Sequence, residues 1–385
     1  MKDELISEFQ ERYGKDPDHL FFCPGRVNLI GEHIDYNGGE VLPCAISYGA
    51  FIAVSKNRDK KLRFNSLGFS AKAELQLQTS YTKTGKEWFN YPLGVINHCI
   101  TEGAEISGLD MLFSGNLPVG AGLSSSASIE VLTAYAINEM FALRFTPVDL
   151  ALLSQKVENN FIGVSCGIMD QFAVAMGKKE HAILLNCDSL EYEYVPFKTG
   201  NYSLVIINTK KERSLADSKY NERFAECGKA LKLLKQKLQV NNLCEIDPAT
   251  FELNRQFIGD AVLEKRALHV ISENARVKDA VISLKTGDME VFGKLMYASH
   301  QSLKELYEVT GKELDSVVDF CKEYRYCIGA RMTGAGFGGC AIALVDEKMI
   351  GDFRDKLQEQ YSMETGYSAE IFTSSAENGV SEIKF

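Results

Sequence analysis

Arg26, Asn28, Glu32, His33, Asp35 and Asn37 crowd into one stretch, GRVNLIGEHIDYNGG (25–39), bracketed by glycines. Donors, acceptors and both charge signs at this density fit a site that grips one small ligand. Val27, Leu29 and Ile30 between them read as the end of a strand that a core would hold. A polar hairpin tip, with Asn-Gly-Gly supplying positive φ, is the plainer reading of the same residues. No surface turn, however, requires the trio Glu32, His33 and Asp35.

A second stretch, GNLPVGAGLSSSASIEV (115–131), has the layout of a phosphate site. Backbone N–H groups at a glycine-rich turn that opens a helix attract anions, because the helix dipole favours negative charge there. Gly120 and Gly122 let the backbone approach a ligand closely. Ser124, Ser125 and Ser126 add hydroxyls at the helix start, and one of them could coordinate Mg²⁺. A serine cap would explain one serine, and three exceed what capping needs. No G-x-x-x-x-G-K-[ST] occurs, so the lysine of a Walker loop is missing.

Two further patterns mislead. Gly334, Gly336 and Gly339 match G-x-G-x-x-G, but a strand, CAIALV, follows where a dinucleotide site needs a helix. GVSCG (163–167) matches the G-x-S-x-G of hydrolases and would make Ser165 a nucleophile, with His181, His269 or His300 as partner. A helix leads into it where a strand should, which argues against that chemistry.

The elements that must position these groups are legible in outline. Helices are expected at about 2–13, from Ser125–Ile129 onward, and from a Thr146 cap through the stripe Leu150, Leu153, Val157, Phe161 to Gly163. Asp170 could cap a further helix over Gln171–Met176. Strands are expected at 20–28, 41–47, 49–55 and through GLDMLFSGNLP. A second half begins near Tyr202 with YSLVIINT and a long helix bearing Tyr220, Phe224, Cys227, Leu231, Leu234 and Leu238. A strand–loop–strand, IGARMTGAGFGGCAIALV, a helix near 346–361 and a strand around AEIFT follow. Without regular βα alternation the fold class is α+β.

At 385 residues the chain has the length of two domains, and 45% hydrophobic residues can build a sizeable core. The net charge of −10 argues against a general nucleic-acid or membrane binder. Apolar runs are only strand-length, and MKDELISEFQERYG is too charged for a signal peptide. The ten cysteines have no C-x-x-C spacing, which suggests free thiols, a cytoplasmic location and no structural zinc.

Taken together, these stretches resemble the GHMP kinase superfamily and, within it, the galactokinase family. GRVNLIGEHIDYNGG is similar to that family's signature, LPVGAGLSSSASIEV to the superfamily's phosphate-binding motif, and RMTGAGFGGCAIALV to its third motif. CGIMDQF (166–172) resembles the catalytic segment. Weaker similarity runs through 88–91, 214–227 and 266–277, so the resemblance covers nearly the whole chain.

The resemblance implies two domains, 1–200 and 201–385, with the active site in the cleft between them. It implies ATP and Mg²⁺ as cosubstrates and phosphorylation of D-galactose at the C1 hydroxyl. Arg26 and Asp170 match the catalytic pair. Glu32, His33, Asp35, Gly167 and Tyr220 match sugar contacts, and Ser126 and Glu158 match Mg²⁺ ligands. Trp88 and Tyr91 match aromatics near the adenine. Gly120, Gly122, Leu123, Ser124, Ser125 and Ser126, with the glycines of 334–339, match loops around the phosphates. Partners would be a small sugar and ATP, with no nucleic acid or membrane, and the chain a monomer.

Ile34 stands where that family usually carries threonine, and Glu40 where an aromatic is commoner. Both lie near the expected sugar site, so a related sugar such as N-acetylgalactosamine or galacturonate is the alternative. A catalytically silent sugar sensor is another; such relatives have lost residues around the serine–alanine step, which this chain keeps as Ser126-Ala127.

Overall fold

In a computed structural model, residues 1–118, 121–164, 166–211 and 216–385 are described, the side chains of 216–218 apart. Helix α1 (Lys2–Tyr13) buries Leu5 and Phe9 and ends where Gly14 turns left-handed. Then come β1 (His19–Asn28), β2 (Glu40–Val41) and β3 (Pro43–Asn57). The sequence suggests two strands flanking Gly49, but β3 runs through it unbroken. Gly49 serves close approach instead of a turn: a Cβ there would lie 2.2 Å from the Cys23 carbonyl oxygen on β1.

Strands β4 (Lys61–Ser66), β5 (Ala73–Gln76) and β6 (Gly108–Gly115) extend the sheet in the order β1-β3-β6-β4-β5, with only the β4–β6 pair parallel. Helices α2 (Asn90–Thr101), α3 (Ser125–Phe141), α4 (Pro147–Val157) and α5 (Met169–Met176) belong to this half, and α3 and α5 lie against β1 and β3. Helix α4 starts as expected, Thr146 and Asp149 forming a reciprocal capping box with Pro147 at the first turn. Its continuation differs: from Glu158 to Ile162 the backbone widens into a π-helical turn, a feature frequent at functional sites. Strands β7 (His181–Asn186) and β8 (Tyr192–Pro196) join β2 in a small antiparallel sheet.

The second half is built on β9 (Tyr202–Asn208), β10 (Cys327–Thr333), β11 (Cys340–Asp346) and β12 (Glu370–Ser374), antiparallel in the order β10-β11-β9-β12. Around it stand α6 (Ala216–Leu234), α7 (Pro248–Asn254), α8 (Ala261–Thr286), α9 (Met289–Ser302), α10 (Lys312–Glu323) and α11 (Ile350–Thr365). Helix α8 is unusual for what it buries: Arg266, His269, Glu273 and Asn274. Three of these hold the loop after β1, through the Glu32 carbonyl, the Gly31 N–H and the Glu40 N–H.

The chain then returns to its first half. β13 (Ser381–Glu382) pairs with Phe21 and Phe22 of β1, and the N–H groups of Gly379 and Val380 donate to Gly177 and Val174 at α5. One continuous apolar cluster links strands of all three sheets. The architecture is α+β, as the sequence implies. Among the described residues no helix is long and apolar enough to cross a membrane.

Candidate active site

Where the two halves meet, a cavity of about 510 Å³ opens, lined from β1, the loop after it, the start of α3, the π-turn, the start of α5, α6 and the turn at Gly334. Arg26 sits near the end of β1, almost fully buried, because β1 carries it between α5 and the start of α3. It grips Asp170 with both arms of the guanidinium: Nε donates to Oδ1 at 2.9 Å and Nη2 to Oδ2 at 2.8 Å. Nη1 donates to the Gly122 carbonyl at 2.8 Å. Such a two-pronged ion pair fixes orientation as well as charge. Asp170 is not a helix cap; it lies in the first turn of α5, whose cap is Ile168.

Ser124 stands at the cap position of α3, but its hydroxyl does not cap the helix. Ser124 has a left-handed φ of 65° and donates to Asp170 Oδ2 at 2.8 Å, while no side chain closes the helix start. The first-turn N–H groups are therefore left to face the cavity, the arrangement that holds phosphate. Ser126 donates to Glu158 Oε1 at 2.9 Å. Burial pushes the Glu158 carboxyl up, with Asp170 adding to the rise, while the Ser126 hydroxyl pulls it back. Ser126 and Glu158 together offer two oxygens for a hard cation. Among the described residues no group of three or more His, Cys, Asp or Glu is arranged to hold a metal ion by protein ligands alone.

Opposite lies the loop after β1. Glu32 Oε1 accepts from the Gly334 N–H at 2.7 Å and from Thr333 Oγ1 at 3.2 Å, leaving Oε2 for the cavity. Among the described residues Asp35 has no ion-pair partner. Burial, and then the charges of Asp170 and Glu32, push its carboxyl up to about 7. Its Oδ2 covers Gly167, where a Cβ would lie only 2.3 Å away, so a larger residue there would have to displace the Asp35 carboxylate. His33 also has a left-handed φ, 62°. Burial lowers it to about 3, so the ring is neutral with one N–H. Nε2 lies 3.2 Å from the Ala335 carbonyl and must donate, so Nδ1 accepts from the Tyr36 hydroxyl at 2.8 Å. Both ring nitrogens are thus engaged by protein, and neither is left for a ligand. Tyr220 lines the cavity from α6, its ring packed 4.9 Å from that of Tyr36.

Other expected residues stand elsewhere. Leu123 is wholly buried and contributes only its carbonyl, which accepts from the Arg26 N–H at 3.2 Å. Trp88 is core: it donates to the Ala71 carbonyl at 2.7 Å and stacks on Phe69, and neither it nor Tyr91 lines the cavity. Gly120, and Ser165 of the hydrolase pattern, lie outside the described residues. Ile34 is fully buried and Glu40 belongs to β2, so neither departure from the family pattern touches the cavity. Conversely, Cys166, Met169, Asn221 and Ala335 line it without having stood out in the sequence. Asn221 follows Tyr220 on a helix whose core stripe gives no hint of a polar lining residue.

Residues 7–56 match the family model described as the galactokinase galactose-binding signature, 90–178 the GHMP kinases N terminal domain and 280–362 the GHMP kinases C terminal. The chain is 50% identical over 382 residues to the galactokinase of Clostridium tetani, covering 99% of this chain and 97% of that one. It is 48% identical to the galactokinase of Enterococcus faecalis over the whole of both. The crystal structure of Lactococcus lactis galactokinase complexed with galactose superposes with a TM-score of 0.95 at 42% identity, covering 99% and 100% of the two chains. A Methanococcus jannaschii mevalonate kinase shares the fold at a TM-score of 0.69 and 21% identity. With full-length identity this high, and the signature falling on the loop that lines the cavity, the chain belongs to the galactokinase family of the GHMP kinases.

Proposed function

We propose that the protein transfers the terminal phosphoryl group of ATP to the C1 hydroxyl of D-galactose, in the cleft between domains 1–200 and 201–385. The observation that carries this reading is the Arg26–Asp170 pair, held at 2.8–2.9 Å in the cavity that Glu32, Asp35 and the serines of α3 also line. Phosphoryl transfer is mostly positioning and neutralisation of charge, and these residues supply both. Asp170, oriented by Arg26 and Ser124, accepts the proton of the C1 hydroxyl as the bond to phosphorus forms. Arg26 balances the negative charge that develops beside it. The first-turn N–H groups of α3 and the turn at Gly334 hold phosphate oxygens. Glu32 Oε2 and the Asp35 carboxylate accept from ring hydroxyls, which aims C1 at the phosphoryl group; His33 and Gly167 shape that pocket. Tyr220 closes it from α6. Mg²⁺, when bound by Ser126, Glu158 and ATP, neutralises phosphate charge. Trp88, which is core, and Tyr91 stand outside the cavity and take no part in this reading.

The test is ADP release from ATP across galactose, N-acetylgalactosamine, galacturonate, arabinose and glucose, with the product read by NMR. Turnover on galactose giving the 1-phosphate, lost when EDTA removes Mg²⁺, is expected. Turnover on another sugar alone would move the specificity. Galactose binding without ADP release would make the protein a sensor.

A further inference from the structure

Arg331 is the largest fully buried side chain among the described residues. It sits on β10, just before the turn at Gly334, in a buried row of charges made with Glu32, Glu273 and Arg276. Glu273 is answered within its own helix: Arg276 Nε donates to Oε2 at 2.7 Å, while the Gly31 N–H and the Ser299 hydroxyl donate to Oε1. Burial would raise Glu273, but Arg276, His269 and Arg331 outweigh it and bring the carboxyl to about 2. The charge of Arg331 is therefore left mainly for Glu32, whose Oε1 lies 3.6 Å from Nη1. The same Nη1 donates to the Asn28 carbonyl at 3.0 Å, and Nε and Nη2 find no partner among the described residues. A buried guanidinium with unanswered N–H groups is a poor structural device, since apolar side chains of similar size usually stabilise a core as well.

We propose that Arg331 is a positioning residue for sugar recognition. It fixes the orientation of the Glu32 carboxylate, with Oε1 turned to the protein and Oε2 to the sugar, and its charge opposes the burial that pushes that carboxyl up. Because Oε1 also takes the Gly334 N–H, the same carboxylate ties the sugar loop to the turn beside the phosphates. The inference rests on the reading of Glu32 as a sugar contact.

A double-mutant cycle tests it, with galactose KM, kcat, ATP KM and thermal midpoint measured for Glu32→Gln, Arg331→Met, Arg331→Lys and the combinations. Arg331→Met is expected to raise galactose KM by roughly tenfold or more with a smaller effect on kcat, and Arg331→Lys to recover most of that loss. In the Glu32→Gln background, removing Arg331 should change galactose KM by less than about twofold. Additive effects, or a fall in kcat at unchanged KM, would overturn the inference. Should Arg331→Met alone not fold, Arg331→Gln, which also removes the charge, completes the cycle on both backgrounds with the same expected and overturning results. An unchanged galactose KM in Glu32→Gln would remove the sugar role of Glu32 and the inference with it. A raised KM there, with no effect of Arg331, would overturn the inference alone.

Discussion

Asp35 and Asp170 face one cavity, and among the described residues only Asp170 has a cation of its own. The difference assigns them different work. Asp170→Asn keeps shape and loses the proton acceptor, so turnover should fall by ~10²–10⁴ while calorimetry still detects galactose binding. Turnover within a few-fold of the parent enzyme would remove Asp170 from the proton-accepting role. Asp35, pushed up to about 7, remains protonated over a range where the unfolded chain's carboxyl, near 3.8, has already ionised. The sugar-free protein therefore loses stability through this group as pH rises from about 4 to about 7. Sugar hydroxyls that donate to the carboxylate favour its charged form, so galactose binding should release a proton and tighten as pH climbs toward 7. Calorimetry from pH 5.5 to 8 in buffers of different ionisation heat reads both effects; a flat affinity with no proton release would contradict them.

At the scale of elements, the active groups stand where regular structure is interrupted. Glu158 opens the π-turn that follows α4, and Ser124 enters α3 through a left-handed residue whose hydroxyl serves Asp170. The apolar stripe over 150–161 announces a helix, but its period carries no mark of the extra width at 158–162. In the same way, Gly49 looks like punctuation between two strands and is a point of contact between β1 and β3. Gly49→Ala should destabilise the protein by about 1–3 kcal/mol, because the added methyl meets a backbone oxygen that cannot move cheaply. Thermal unfolding measures this; an unchanged midpoint would mean that β1 and β3 part there without cost.

For the whole molecule, the end of the chain is a brace. Residues 377–383 donate backbone hydrogen bonds to Ala45, Gly177, Val174 and Leu20, so they clasp both the first sheet and the helix that carries Asp170. Deleting residues 375–385 should lower the thermal midpoint and also kcat, since α5 loses its outer support. A lowered midpoint with full kcat in the folded enzyme would limit the brace to stability.

The sequence by itself determined the family, the reaction class and most of the groups that line the cavity, because phosphate loops and sugar-gripping carboxylates are local patterns of residue type and spacing. It also marked α1, α3 and α4, whose apolar periods, with the Thr146 capping box of α4, are local too. Only the tertiary structure decided what each group does with its neighbours. That Asp35 lacks a cation among the described residues, that His33 spends both nitrogens on protein, that Trp88 is core and that Arg331 lies behind Glu32 all depend on packing between separate elements. His33 and Ala335, like Glu32 and Arg331, are about 300 positions apart. Burial sets the strength of such charges, and burial is a property of the assembled seam between the halves that no short stretch contains.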